Sequence, residues 1–247
     1  MSLLQVQSMK KSFGGVQAVA GVDFEVHRGE LACIIGPNGA GKTTFFNLIS
    51  GYYTPDHGRV IFNGREITGM PPHRIARLGL VRSFQKTHVF PQMTIAENIQ
   101  TMVLFRKRRT LNLFSRALRL ERQETEEIIE MVGLAANSSV MAGTLSAGDR
   151  KRLELGIALA AKPRLLLLDE PTCGMSPAET ASTIELIQRL GHDQKLTLLF
   201  TEHKMEVVFS IAERIAVLHF GRFIAEGKPE EIRANREVQR IYFGEAP

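Results

Sequence analysis

The chain has 247 residues, 44% of them hydrophobic and 23% charged, a balance that excludes the disordered and membrane-spanning classes and leaves enough apolar material for a large core. Its formal charge of +5 suits an anionic partner, whether nucleotide, nucleic acid or acidic membrane surface, without choosing among them. The two cysteines, Cys33 and Cys173, lack the spacing of a metal site or disulfide framework, which predicts a reducing, cytosolic setting.

The opening stretch alternates apolar residues (Leu4, Val6; Val22, Phe24, Val26) with breaks at Gly14, Gly15, Gly21 and Gly29, a pattern that predicts antiparallel strands and turns. LACIIG follows as a short apolar run ending in glycine, the mark of a buried strand, and Lys42 to Ile49 reads as a helix. From about Met93 to Ala160 the pattern turns helical, and strand character returns at RLLLLDE, LTLLFTEH and RIAVLHFG. The helical stretch therefore interrupts a core that is split in sequence. Pro229 and Glu230 start a helical tail running to Phe243, since proline and acidic side chains favour a helix N-terminus. No apolar run reaches the roughly 18 to 20 residues of a membrane helix, and MSLLQVQSMKKSF lacks a signal-peptide core, so any membrane role is expected to run through a partner.

GPNGAGKTT, from Gly36 through Pro37, Asn38, Gly39, Ala40, Gly41, Lys42 and Thr43 to Thr44, fits GxxxxGK[ST] and lies between a predicted strand and a predicted helix. Small residues let the backbone curl around phosphate oxygens, Lys42 supplies a cation to the β- and γ-phosphates, and Thr43 offers a hydroxyl to Mg2+. The helix N-terminus adds partial positive charge. This loop alone says only that a nucleoside triphosphate binds. RLLLLDEP ends a second apolar strand in two acids, with Asp169 expected to hold the magnesium through its water shell and Glu170 to polarise the attacking water.

Between these sites lies TLSAGDRKRLELGIALA, whose LSAGD segment matches the LSGGQ signature at three of five positions, and here the chain resembles the ATP-binding subunits of ABC transporters. Taken alone, Ser146 and Asp149 also suit a plain helix cap. The resemblance implies an α/β P-loop NTPase (RecA-like) core, at 1–92 and 161–228, with an N-terminal antiparallel β subdomain and an inserted α-helical subdomain at 93–160, then a helical tail at 229–247, all within one domain. It implies that Ser146 and Gly148 contact the γ-phosphate of ATP held by the opposite subunit, that Phe13 stacks on adenine, and that Gln85 senses magnesium and γ-phosphate. It likewise makes His203 a γ-phosphate ligand, the stretch His88 to Met93 a contact with the membrane partner, and TCGMSPAE an intersubunit loop with Ser176 where aspartate is frequent. Ala147 and Asp149 depart from the signature and put the strength of closure in question.

FGG near the start, VRSFQKTHVFPQMTIAENI, the insert FRKRRTLNLFSRALRLERQE and the ending EGKPEEIRANREVQRIYFGE are similar to the ATPase subunits of branched-chain amino acid importers. That branch implies a second ATPase subunit, identical or not, two transmembrane permeases and, indirectly, a solute-binding protein, with no nucleic acid and no span of its own. It implies a peripheral place on the cytoplasmic face of the cell membrane. The ATPase of the lipopolysaccharide exporter is the nearest competing resemblance, followed by soluble ABC ATPases of ribosomes or DNA and by small-molecule kinases. The insert's Arg106, Lys107, Arg108, Arg109, Arg116, Arg119 and Arg122 suit either a solvated helix face or acidic lipid headgroups.

Overall fold

Strands β1 (Ser2–Phe13) and β2 (Val16–His27) form an antiparallel hairpin in which Phe13 faces Val16 across Gly14 and Gly15. β4 (His57–Phe62) pairs with the free side of β1 and β5 (Arg65–Glu66) with β4, giving a four-stranded sheet of order β2-β1-β4-β5. The second sheet contains β3 (Leu31–Ile35), β6 (Leu80–Ser83), β7 (Leu165–Asp169), β8 (Thr197–Thr201), β9 (Arg214–His219) and β10 (Arg222–Gly227). Its order is β10-β9-β3-β8-β7-β6, parallel throughout except for β10. This computed structural model describes residues 2–83, 89–107 and 121–243.

The central strands are continuous apolar runs because both faces of the sheet are covered. Leu31, Cys33 and Ile35 of β3 enter one core cluster, while Ala32 and Ile34 enter the other; in β7, Leu166 and Leu168 divide from Leu165 and Leu167 in the same way. The second cluster also contains α1 (Lys42–Ile49), whose Phe45 and Phe46 are fully buried between the two sheets. Phe45 meets Phe24 edge-on at 5.6 Å and Phe223 at 5.6 Å, and Phe24 stacks on Phe223 at 5.1 Å. This triad anchors the helix that follows the phosphate loop to both sheets. Phe45→Ala is expected to cost about 3–5 kcal/mol in urea unfolding; a loss below about 1 kcal/mol would contradict the anchoring role.

After α2 (Pro72–Leu78) and β6 come the helices α3 (Ile95–Arg106), α4 (Arg122–Met131) and α5 (Ala147–Ala160), after which the chain returns to β7 beside β6. A capping box starts α3, with the Glu97 N–H donating to Thr94 Oγ1 and the Thr94 N–H to Glu97. Buried Asn98 fastens the preceding segment: it accepts from the Phe90 N–H at 2.8 Å and donates to the carbonyls of Phe90, Met93 and Thr94. Part of the basic insert is neutralised by the helical subdomain's own acids: Arg106 and Lys107, joined by Lys162, converge on Glu124 of α4, and Arg122 pairs with Glu126 at the surface. Arg108, Arg109, Arg116 and Arg119 lie outside the described residues.

Helices α6 (Pro177–His192) and α7 (Met205–Ile211) follow β7 and β8. The expected single tail helix is two, α8 (Pro229–Ala234) and α9 (Arg236–Phe243). Asn235 breaks it by adopting extended backbone and accepting the N–H groups of Glu237 and Val238, so that it caps α9 instead of continuing α8.

Candidate functional site

Register brings the chemistry to one edge of the parallel sheet. Thr201 lies opposite Ile34 of β3 and opposite Asp169 of β7, so the loops leaving β3, β7 and β8 emerge together at the carboxyl ends of the strands. The loop after β3 is the phosphate loop. Gly41 caps α1 at φ +107°, and a Cβ there would meet the Ala18 carbonyl oxygen at 2.3 Å; one on Gly36 would meet that of Leu218 at 2.2 Å. No larger residue fits either position without displacing backbone. The turn after β9 ties the loop down, with the Gly221 N–H donating to the Ala40 carbonyl at 2.9 Å.

Lys42 is buried, and its ammonium donates to the carbonyls of Gly36 at 2.6 Å and Pro37 at 3.1 Å. Burial lowers its pKa, while the carboxylates of Glu170 and Asp169 act in the opposite direction, which places both acids within electrostatic reach of the loop. Thr43, Asn38 and Gly39 are exposed at the mouth of the loop, and Thr44 is half-buried.

Asp169, at the tip of β7, is buried with one oxygen accepting from the Thr201 hydroxyl at 2.7 Å and the other from the Arg82 guanidinium at 3.0 Å. Arg82 also donates to Asn47 of α1 at 2.6 Å and lies 5.6 Å from the Phe46 ring, so it joins the two predicted motifs from a third strand. Glu170 leaves the strand in left-handed backbone at φ +49°, an uncommon conformation for a non-glycine residue and one that accumulates at working sites. The turn directs its side chain to His203 Nε2, 3.0 Å from Glu170 Oε1.

Beneath this pair lies Glu202, 3% exposed, whose carboxylate accepts from the Thr172 N–H and hydroxyl on one side and the His203 N–H at 2.9 Å on the other. It thereby fixes the loop carrying Glu170 to the loop carrying His203. Neither Arg82 nor Glu202 stands out in the sequence, where each is an ordinary charged residue, and only the strand register gives them their partners. Cys33, buried under the loop, has its thiol pKa pushed well up by desolvation.

Phe13 ends β1 and is 44% exposed, with its ring edge-on to Tyr53 at 5.3 Å and Lys11 Nζ 5.5 Å from the ring centroid. Ser146 caps α5, accepting the Asp149 N–H at 3.1 Å, and buried Gly148 lies in the first turn. The N–H groups that Ser146 accepts belong to α5 and the Gly148 N–H goes to α6, none of them to the phosphate loop. Gln85 and His88 lie outside the described residues. Thr43 and Asp169 offer only oxygen, the donor type that suits a hard divalent ion completed by waters and phosphates, and so they fit magnesium.

A family model described as ABC transporter matches residues 19–173, more than half of the chain. The chain belongs to the ABC transporter ATP-binding family. The cassette is an ATP-binding ATPase, and the kinase reading falls. A second family model, described as branched-chain amino acid ATP-binding cassette transporter, matches residues 224–247. The cassette is 39% identical over 255 residues to the high-affinity branched-chain amino acid transport ATP-binding protein BraF of Pseudomonas aeruginosa, covering 99% of this chain and 98% of that one. It is 38% identical over 253 residues to LivG of Escherichia coli, with the same coverage, and 31% identical over 245 residues to the lipopolysaccharide export ATP-binding protein LptB of Haemophilus influenzae. Among solved structures, an ATP-binding cassette of an ABC transporter in its ADP conformation is similar at a TM-score of 0.85 and 30% identity, covering 99% of this chain and 100% of that one.

Proposed function

We propose that this cassette powers uptake of branched-chain amino acids or a related small solute through two partner permeases, peripheral to the cytoplasmic face of the cell membrane. The observation that supports it most is the near-complete overlap with branched-chain amino acid transport ATP-binding proteins at 38–39% identity, together with the branched-chain family match over the tail. The lipopolysaccharide-exporter reading has less support, at 31% identity. Among the described residues no helix is long and apolar enough to cross a membrane.

The chemistry follows from the residues at the sheet edge. Phe13 stacks on adenine, and the phosphate loop holds the phosphates by its N–H groups and by Lys42. Thr43 and, through its water shell, Asp169 would hold magnesium, which would supply charge neutralisation at the β- and γ-phosphates, with Gln85 as the residue that senses it. Glu170 accepts a hydrogen bond from the attacking water, polarising it and orienting it in line with the leaving oxygen, while His203, its Nε2 3.0 Å from the carboxylate, steadies Glu170 and bonds the γ-phosphate. Ser146 and Gly148 of a second ATPase subunit complete the site, and closure of the pair is transmitted to the permeases by the segment after Gln85, His88 to Met93. The helical subdomain at 93–160, inserted into the core at 1–92 and 161–228, is the arm that carries the signature, and 229–247 forms the tail.

Co-expression with candidate permease subunits tests the transporter assignment. The cassette is expected to co-purify with them, and its ATP turnover to rise when a solute-loaded binding protein is added. A cassette that purifies alone, with turnover indifferent to both, would contradict it.

A further inference from the structure

The signature and the intersubunit loop are joined by one carboxylate. Glu179, in the first turn of α6, accepts the Ser176 N–H at 2.9 Å and the Ser176 hydroxyl at 2.8 Å through Oε2, which accounts for the capping box that starts the helix. Its other oxygen, Oε1, is not used by α6. It accepts the Gly148 N–H of α5 at 3.0 Å, across 31 residues of sequence. The fit is tight, since a Cβ on Gly148 would lie 2.6 Å from Glu179 Oε1 and 2.8 Å from its Cδ. Arg152 of α5 donates to Ser182 of α6 at 2.7 Å one turn further along, so the two helix starts are held side by side. The donors from Ser176 and then Gly148, with a contribution from the Ser146 hydroxyl, hold the Glu179 carboxyl down at about 2, so it stays anionic at neutral pH.

The composite-site reading assigns two groups to the γ-phosphate of the opposite subunit's ATP, the Ser146 hydroxyl and the Gly148 N–H. Within the single subunit the Gly148 N–H is given to Glu179, while the Ser146 oxygen accepts the Asp149 N–H. An amide hydrogen has one direction, so a carboxylate and a phosphate oxygen compete for it. A fixed negative charge beside the incoming γ-phosphate opposes it as well.

We propose that Glu179 is a positioning residue that fills the signature's anion seat in the unpaired subunit and must yield to the γ-phosphate, thereby setting the ATP concentration at which the subunits close. It also ties that exchange to the intersubunit loop, because the same carboxylate holds Ser176. Release of Gly148 loosens the cap of α6, and movement of the loop around Cys173 to Ser176 loosens Glu179 from the signature.

The inference rests on the composite-site reading, and the experiment separates the two. In the transporter assembled with its membrane subunits, KM for ATP and kcat are measured for wild type, Glu179→Gln, Glu179→Ala and Ser146→Ala, with ADP affinity measured in parallel. Glu179→Gln keeps an acceptor oxygen but removes the charge, and is expected to lower KM for ATP about three- to tenfold with kcat changed less than about twofold. ADP has no γ-phosphate, so its affinity is expected to stay the same. Glu179→Ala is expected to move KM in the same direction. A carboxylate that only caps the helix predicts no change for Gln and a loss for Ala; that result, or a KM raised by Gln, would overturn the proposal. Wild-type kinetics in Ser146→Ala would remove the composite site itself and the proposal with it.

Discussion

Glu170→Gln is expected to bind ATP with wild-type affinity while hydrolysing it about 10²–10⁴-fold more slowly. The carboxylate sits at a left-handed turn directly after the buried strand, with His203 3.0 Å away, and Lys42 close enough to feel its charge. Glutamine preserves the size of the side chain and its reach to His203, but it cannot draw a proton from water. Because binding depends on the phosphate loop and not on this side chain, the effect belongs in kcat and not in affinity. With hydrolysis slowed, the ATP-bound pair of subunits accumulates in its closed form, since the step that reopens it is missing. Presteady-state phosphate release and equilibrium ATP binding measure the two quantities separately. Turnover at the wild-type rate would remove Glu170 from its assigned role.

Lys42→Ala is expected to act on the other quantity. The ammonium is buried at the loop mouth and oriented by two carbonyls of the loop itself, so little ordering remains when it meets phosphate oxygens. A hydrogen bond with a charged partner contributes about 1.5–3 kcal/mol, and its loss corresponds to roughly 10- to 150-fold weaker ATP binding by calorimetry. Alanine also removes a positive charge within electrostatic reach of Glu170 and Asp169, which adds repulsion toward a triphosphate. Unchanged ATP affinity would contradict the assignment of the loop.

What the sequence made legible was local. GPNGAGKTT announces its own backbone shape, because Gly36 and Gly41 sit where any Cβ collides with a carbonyl, and the apolar runs of β3, β7 and β8 report a sheet covered on both faces. Asp169 and Glu170 were readable because an abrupt end to such a run is chemically conspicuous. The contacts that assemble these pieces were not readable. Arg82 reaches Asp169 across 87 residues, Glu202 reaches Thr172 across 30, and Glu179 reaches Gly148 across 31. Each looked like an ordinary charged residue in its own neighbourhood, and only the strand register and the packing of α5 on α6 give it a partner. Asn235 was missed for another reason: helix periodicity continues through it, and its capping preference outweighs propagation over so short a segment.

Glu179 gives the signature's departures a physical context. Ala147 is exposed, whereas Gly148 is the buried position at which a methyl group collides with Glu179. The glycine retained from the family pattern is therefore the one that this subunit's own packing requires. Asp149 turns its N–H to Ser146, so the start of α5 is organised by Ser146 and Glu179 together.

The most direct test of the central claim is ATP-dependent uptake of labelled leucine into membrane vesicles that carry the assembled transporter and its binding protein. Wild-type cassette is expected to accumulate leucine only when ATP is present on its own side of the membrane, and Glu170→Gln is expected to bind that ATP and accumulate none. Equal uptake by the two, or uptake that ignores ATP, would contradict the account.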